Sequence, residues 1–419
     1  MKKSHKLNKL CSVLLAVCLL ASAIVVPAVT KADTASEEKK NINILLIGNS
    51  YAADTVNYLA EIYDSAGYDT FNIVSLYYPG ATLSRIYEEL LLSETAEANG
   101  FNDRTSGVYK YGAKLTTTRN TGAANNNIQT DNSTRSSASC FAYQKYTKED
   151  GAVKSHNTVF NYDLKKAITE ADWDVVSLQN INNSYDATEE AAYHVLKAGT
   201  DDSYGDYSTA FTFNNTTYYA GKEYIGKEYV SILTDYIKSK KSDAEVFFNS
   251  TWVPEYSAIR SNGTANNHTP RTAQKDKGTF SQGYSAYEWE KELNTNVYKY
   301  LTDKTENGNN LSGIVKNNTL VEYLYENLPL ISDSYSLWRD NTHLIDIGRY
   351  AAALNFYYTV SGVDFSDAAN RIAFVPSFEI RENLSCIYDC LSKAKSDEMP
   401  KLSTVKYYNS MMLSDAGNN

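Results

Sequence analysis

Cysteine and histidine are scarce in this chain of 419 residues, and their scarcity excludes several kinds of function. There are five of each. Only Cys140, Cys386 and Cys390 lie beyond an apolar leader, too few for a disulfide framework. Cys386 and Cys390 are four apart on one helical face and read as small buried side chains. His156 falls in a hairpin pattern, His194 in a helical one and His268 in an Asn-rich loop. None has a His or Cys neighbour at ligand spacing, so no metal site is expected. No glycine-rich phosphate loop or dinucleotide fingerprint is present, since the first strand-to-helix turn holds one glycine, and no cofactor is expected. Positive charge is also in deficit. Without the leader's five lysines the chain has 35 basic against 50 acidic residues and no basic stripe, which excludes nucleic acid as a partner. Beyond the leader, no run is long and apolar enough to span a bilayer.

The leader itself, residues 1–32, has the three-part form of a secretory signal. Lys2, Lys3, Lys6 and Lys9 precede an apolar run at 10–26, and small residues follow to Ala32. The bulky Val17 before Cys18, and the apolar run continuing past it, argue against lipid attachment there. The expected protein is secreted, free or held at the cell surface by a partner, and begins near Asp33. About 387 residues then remain, enough for one elaborated α/β domain.

Residues 42–47 form a continuous apolar run of the kind buried in a parallel sheet. After Gly48-Asn49-Ser50, apolar residues recur at helical spacing from Val56 to Ala66, and Gly67 stands where a helix ends. A second strand is expected at 71–76, then Tyr77-Tyr78-Pro79-Gly80 and another helix. Third and fourth strands fall at 174–179 and 245–249, and a weak fifth at 328–331. Residues 97–139 are rich in Thr, Asn, Ser and Gly and read as an inserted polar loop. A second such loop covers 261–277. Residues 141–159 read as a β-hairpin around Asp150-Gly151. Helices are expected at 189–196, 229–239 and 286–301, and at 346–362 with Asp346 as N-cap. Residues 363–419 form a C-terminal extension whose helix carries the two cysteines. The alternation predicts a three-layer α/β/α fold, flavodoxin-like, with a parallel five-stranded sheet, an inserted β-hairpin and long polar loops.

In an open parallel sheet, ligands bind outside the carboxyl ends of the strands. The turns after the first four strands hold Ser50, Gly80, Gln179 to Asn182, and Asn249 to Trp252, while Asp340-Asn341-Thr342-His343 precedes the last long helix. In order and context these blocks resemble the SGNH, or GDSL-like, hydrolase superfamily. Asn49 stands where the family usually has Asp, and Leu178-Gln179-Asn180-Ile181-Asn182 replaces its Gly-x-Asn-Asp block. The strand-end Leu-Gln, Thr251-Trp252 and Asp-x-x-His-Leu with a following Gly-Arg-Tyr are similar to a poorly characterised bacterial branch known only as a domain of unknown function. The resemblance covers about 41–362 in separate blocks, and residues 33–362 are taken as the hydrolase domain.

By that resemblance Ser50 is the nucleophile, His343 the general base and acid, and Asp340 the group that orients the imidazole. A serine hydroxyl is a poor nucleophile without such a base. The oxyanion hole would comprise the N–H groups of Ser50 and Gly80, with a side-chain amide from Gln179, or alternatively from Asn180 or Asn182. Tyr51, Tyr78, Asn182 and Trp252 are candidates to bind substrate, their rings by stacking on sugars or else by packing in the core. The same residues permit blander readings. Gly-Asn-Ser is ordinary turn and cap chemistry, and a carboxylate near an imidazole is an ordinary surface pair.

The resulting expectation is a secreted serine esterase that acts on a small O-acyl ester, acetyl foremost, on a carbohydrate. Two alternatives stand beside it: a non-catalytic glycan- or peptide-binding protein on a degenerate hydrolase scaffold, and a lipase or thioesterase of the same superfamily. The sequence leaves the acyl group, the acceptor and the oligomeric state open.

Overall fold

Strand β1 (Asn41–Gly48) is apolar on both faces, and both faces are covered. Ile44 and Leu46 enter one hydrophobic core and Leu45 and Ile47 another, as the two-residue side-chain period of a strand between two helical layers requires. The computed structural model describes residues 40–81, 83, 86–87, 89–90, 93–94, 139–180, 209–213, 216–220, 229–252, 259–261, 264–266, 310–331, 336–340 and 343–395. The leader at 1–32, residues 97–138 of the polar loop expected at 97–139, and the helices expected at 189–196 and 286–301 lie outside them.

After β1 come helices α1 (Ser50–Val56) and α2 (Leu59–Ser65), strand β2 (Thr70–Tyr77), and helical residues between Leu83 and Glu94. Strands β3 (Phe141–Glu149), β4 (Ala152–Ser155) and β5 (Val159–Tyr162) follow, then α3 (Leu164–Thr169) and β6 (Val175–Gln179). Two short pairs, β7 (Thr209–Phe213) with β8 (Thr216–Ala220) and β10 (Ile259–Ser261) with β11 (Thr264–Asn266), stand apart from the main sheet. Between them lie α4 (Tyr229–Lys240) and β9 (Glu245–Asn249). The described chain ends with β12 (Gly313–Val315), α5 (Asn317–Asn327), α6 (Asp346–Ser361), a 3-10 turn at Ala368–Asn370, α7 (Phe378–Glu382) and α8 (Leu384–Ala394).

The main sheet is mixed and has eight strands, which corrects the five-stranded parallel expectation. Its order is β12-β9-β6-β1-β2-β3-β4, with β5 also paired to β3. The five strands from β12 to β2 run parallel, and β3, β4 and β5 add antiparallel pairings at the β2 edge. The addition is the hairpin itself. Asp150 (φ 53°) and Gly151 (φ 75°) are both left-handed, as a two-residue hairpin turn demands, and Glu149 pairs with Ala152 across it.

The fifth parallel strand also lies elsewhere than expected. It is β12, whose three residues are too few to show a periodicity. The apolar residues Leu328 and Ile331 belong instead to a turn in which the Ile331 N–H donates to the Leu328 carbonyl at 3.1 Å, and both side chains are buried. Helices α1, α2, α5, α6, α7 and α8 share the first core, while α3, α4 and the helical residues near Leu83 share the second. Phe365, Ile372, Ile387 and Leu391 join the first core, so residues 363–395 pack with the rest of the domain. Among the described residues, no helix is long and apolar enough to cross a membrane.

A polar thread runs through the first core. Thr55 donates to the Tyr51 carbonyl (3.1 Å), and Asn249 Nδ2 donates to Thr55 Oγ1 (3.3 Å). Asn317 Nδ2 donates to Asn249 Oδ1 (2.9 Å), and Asn317 Oδ1 accepts from Asn355 Nδ2 (2.9 Å). These four side chains tie α1, β9, α5 and α6 together, and all are buried. Buried amides of this kind are tolerated because their partners are present. Asn317→Ala removes both partners at once and should lower the free energy of unfolding by about 2 to 4 kcal/mol. Urea denaturation of the variant and the wild type measures this directly. A loss below about 0.5 kcal/mol would show that the thread contributes nothing to stability.

Candidate active site

The turn between β1 and α1 is built around Asn49. Its Oδ1 caps the helix by accepting from the Tyr51 N–H at 3.0 Å, and its Nδ2 donates to the Ala81 carbonyl at 3.0 Å. The second bond needs an amide, because a carboxylate has no proton to offer a carbonyl. This gives a physical reason for Asn at this position. Ser50 is the first helical residue and is partly exposed.

The turn after β2 is locked to the same place. Tyr78 N–H donates to the Gly48 carbonyl (2.9 Å), and Ala81 N–H closes a tight turn onto the Tyr78 carbonyl (3.1 Å). Pro79 and Gly80 are its central residues. Gly80 has φ +61°, the left-handed value that glycine adopts without strain at this position.

Gln179 ends β6, next to Gly48 on the neighbouring strand: Ile47 pairs with Leu178, one residue before both. Its side chain is fully buried, and neither amide atom has a hydrogen-bond partner among the described residues. A Cβ placed on Gly48 would lie 3.0 Å from Gln179 Cβ, 3.3 Å from its Oε1 and 2.9 Å from Ala52 Cβ. Gly48 is therefore a close-approach glycine that lets Gln179 lie against the Ser50 turn. Asn180 is occupied differently. Its Oδ1 accepts from the Leu83 N–H (3.0 Å), and its backbone carbonyl accepts from Thr251 Oγ1. Asn182 lies outside the described residues.

Asp340 and His343 occupy a narrow turn before α6. Trp338 and Leu344 form an antiparallel bridge, Arg339 N–H donates to the His343 carbonyl (2.8 Å) and Ile345 N–H to the Leu337 carbonyl (3.0 Å). Within that turn Asp340 Oδ1 accepts from the His343 N–H (2.8 Å), and Asp340 Oδ2 lies 2.7 Å from His343 Nδ1. A carboxylate only accepts, so in the neutral ring the proton sits on Nδ1 and Nε2 carries the lone pair. The two side chains are 26% and 51% exposed, so the pair contributes little to stability and much to ring orientation. The His343 ring centroid is 6.3 Å from that of Tyr51, the residue after Ser50.

The aromatic residues expected to meet substrate are placed unequally. Tyr51 and Trp252 are buried edge to face, with centroids 4.7 Å apart, and support the site from beneath. The core-packing reading fits these two rings. Tyr78 is half-buried and packs on Phe141. Asp346 is not an N-cap: Ile345 holds that position without a side-chain cap, and Asp346 pairs with Arg349 (3.3 Å).

Sequence reasoning missed Asp54. It is 2% exposed and accepts from Arg339 Nη1 (3.0 Å), Arg349 Nε (3.0 Å) and the Leu344 N–H (2.9 Å). Its sequence neighbours gave little signal, because at helical spacing Asp54 shares a face with Ser50, Tyr51, Asn57 and Tyr58, a mixed polar and aromatic set.

No family model matches the chain, and no curated protein does. Among solved structures, a crystal structure of a DUF4886 family protein from Bacteroides uniformis is similar at 15% identity, over 88% of this chain and 100% of that one, with a TM-score of 0.48. That likeness is too loose to transfer a function.

The close approach at Gly48 makes a testable demand on the site. Gly48→Ala should destabilise the fold by about 1 to 3 kcal/mol, because backbone and side chain must both give way. A thermal unfolding midpoint unchanged from wild type would show that the turn has room the geometry denies.

Proposed function

We propose that this chain is an exported serine esterase of the SGNH kind, hydrolysing a small O-acyl ester on a carbohydrate, with Ser50, His343 and Asp340 as its catalytic triad. The observation that carries the proposal is the 2.7 Å His343–Asp340 pair, held beside the helix that Ser50 opens. The parallel block of strands and the helices on both faces support a flavodoxin-like core, and the turns after β1, β2 and β6 converge at one sheet edge.

In this reading His343 Nε2 takes the Ser50 hydroxyl proton as Oγ attacks the ester carbonyl carbon. Negative charge builds on the former carbonyl oxygen. The N–H groups of Ser50 and Gly80 and the Gln179 amide receive it. Collapse expels the alcohol, which takes the proton from His343 and leaves an acyl-Ser50. Water, deprotonated by the same imidazole, then releases the acid and restores Ser50. Gln179 suits its role because a buried amide with both atoms unbonded costs about 1 to 3 kcal/mol in the resting fold and gains a partner only when an oxyanion forms. Acetyl is the favoured acyl group and a decorated glycan the favoured acceptor, from the family resemblance and the secretory leader.

Ser50→Ala should abolish both fluorophosphonate labelling and p-nitrophenyl acetate turnover while leaving thermal unfolding nearly unchanged, and His343→Ala should do the same to turnover. A panel of esters with increasing acyl length, extended to acetylated sugars, reads the substrate class. Activity within a few fold of wild type in Ser50→Ala refutes the assignment, and wild-type protein that neither labels nor turns over any ester favours a binding protein.

Gln179→Ala tests the third donor. Its kcat should fall by roughly a hundredfold with KM little changed, because the bond is made chiefly in the transition state. A variant with normal kcat removes Gln179 from the oxyanion hole.

A further inference from the structure

The Asp54 carboxylate lies one helical turn beyond Ser50 in α1, and it reaches the turn that carries His343 by two routes and the helix after it by a third. Oδ2 accepts the backbone N–H of Leu344, the residue next to His343 (2.9 Å). Oδ1 accepts Arg339 Nη1 (3.0 Å), and the same Nη1 also donates to the Leu344 carbonyl (2.7 Å). Arg349, in the first turn of α6, completes the cluster through Nε (3.0 Å). The cluster thus holds both ends of the 339–344 turn, and α6 behind it, against the helix that begins with Ser50.

We propose that Asp54, with Arg339 and Arg349, is the positioning device that sets the distance between nucleophile and base. The inference rests on the reading of Ser50 and His343 given above. Two features separate it from an ordinary structural ion pair. First, the bonds converge on the backbone of Leu344, so a displacement of the carboxylate moves the His343 main chain rather than a remote side chain. Second, the hydrogen bonds between Asp340 and His343 are internal to their turn and set the orientation of the ring. The hydrogen bonds that Asp54 accepts from Arg339 and Leu344 join α1 directly to that turn. Orientation of the imidazole and its distance from Ser50 are therefore controlled by two different carboxylates.

The full-length mature chain carrying Asp54→Asn tests this. Asparagine keeps the size of the side chain but removes the charge that holds two guanidinium groups. The side chains of Arg339 and Arg349 are 37% and 22% exposed, so both can turn to water when released. The expected result is a kcat at least tenfold lower with KM within about threefold, since displacing a base by an ångström costs rate rather than binding. Imidazole added to the buffer should restore part of that loss, because a free base can act where His343 is misplaced; loss of fold would not be rescued. Arg339→Gln leaves Arg349 in place and should show the same split to a lesser degree, which keeps the test decisive if Asp54→Asn does not fold. Unchanged kcat in a folded Asp54→Asn or Arg339→Gln protein overturns the proposal, as does a loss that imidazole cannot relieve. The imidazole nitrogen resonances of His343 provide a readout independent of turnover. If wild-type protein fails to label at Ser50 yet Asp54→Asn disturbs those resonances, the esterase reading fails and what stands is the hold of Asp54 on the His343 turn. Undisturbed resonances in a folded variant refute the positioning role in either case.

Discussion

The meeting of one buried carboxylate with two arginines and a backbone N–H is the interaction on which the site depends. Asp54 is 285 residues from Arg339 in the chain, and burying it unpaired would cost several kcal/mol. The cost is offset only when the turn before α6 closes on α1. A chain that misplaced α6 would expose the penalty at Asp54 directly.

Around this cluster, polar groups fix the geometry of the turns. Asn49 uses both ends of its amide to fix the Ser50 turn to the Gly80 turn, and Asn180 uses its oxygen to hold Leu83. Thr55, Asn249, Asn317 and Asn355 bind α1 to three other elements beneath the site. Each of these amides is bonded, as a low-dielectric interior requires. Gln179 stands out because it is buried to the same degree with neither amide atom bonded. The contrast within one edge of one sheet is what draws attention to it.

The apolar part of the structure explains why these polar groups are held so firmly. The parallel strands are buried on both faces, and their alternating side chains feed two separate cores. A one-residue slip of β1 would exchange the two sets and carry Gly48 away from Gln179. Register at the strand ends is therefore enforced by the whole sheet, and the turns bearing Ser50, Gly80 and Gln179 inherit that precision.

Several elements were legible in the sequence for local reasons. The run at 42–47, the helical spacing after Ser50, the Asp150-Gly151 hairpin turn and the Pro79-Gly80 turn each depend on residues within a few positions of one another. So does the Asp340–His343 pair, three residues apart. Other features depend on partners that sequence distance conceals. A three-residue strand such as β12 exists only because β9 offers it an edge, and Leu328 and Ile331, which resemble a strand, are apolar because a turn happens to be buried. The antiparallel side of the sheet follows from which edge the hairpin meets. Asp54 gave no local hint, since its neighbours at helical spacing are polar or aromatic and its arginine partners are 285 and 295 residues away. By itself, then, the sequence determined the local conformations and the chemistry available at each turn. Tertiary structure alone decided which turns meet, which rings are buried, and which carboxylate joins the Ser50 helix to the His343 turn, because those outcomes are set by packing between segments far apart in the chain.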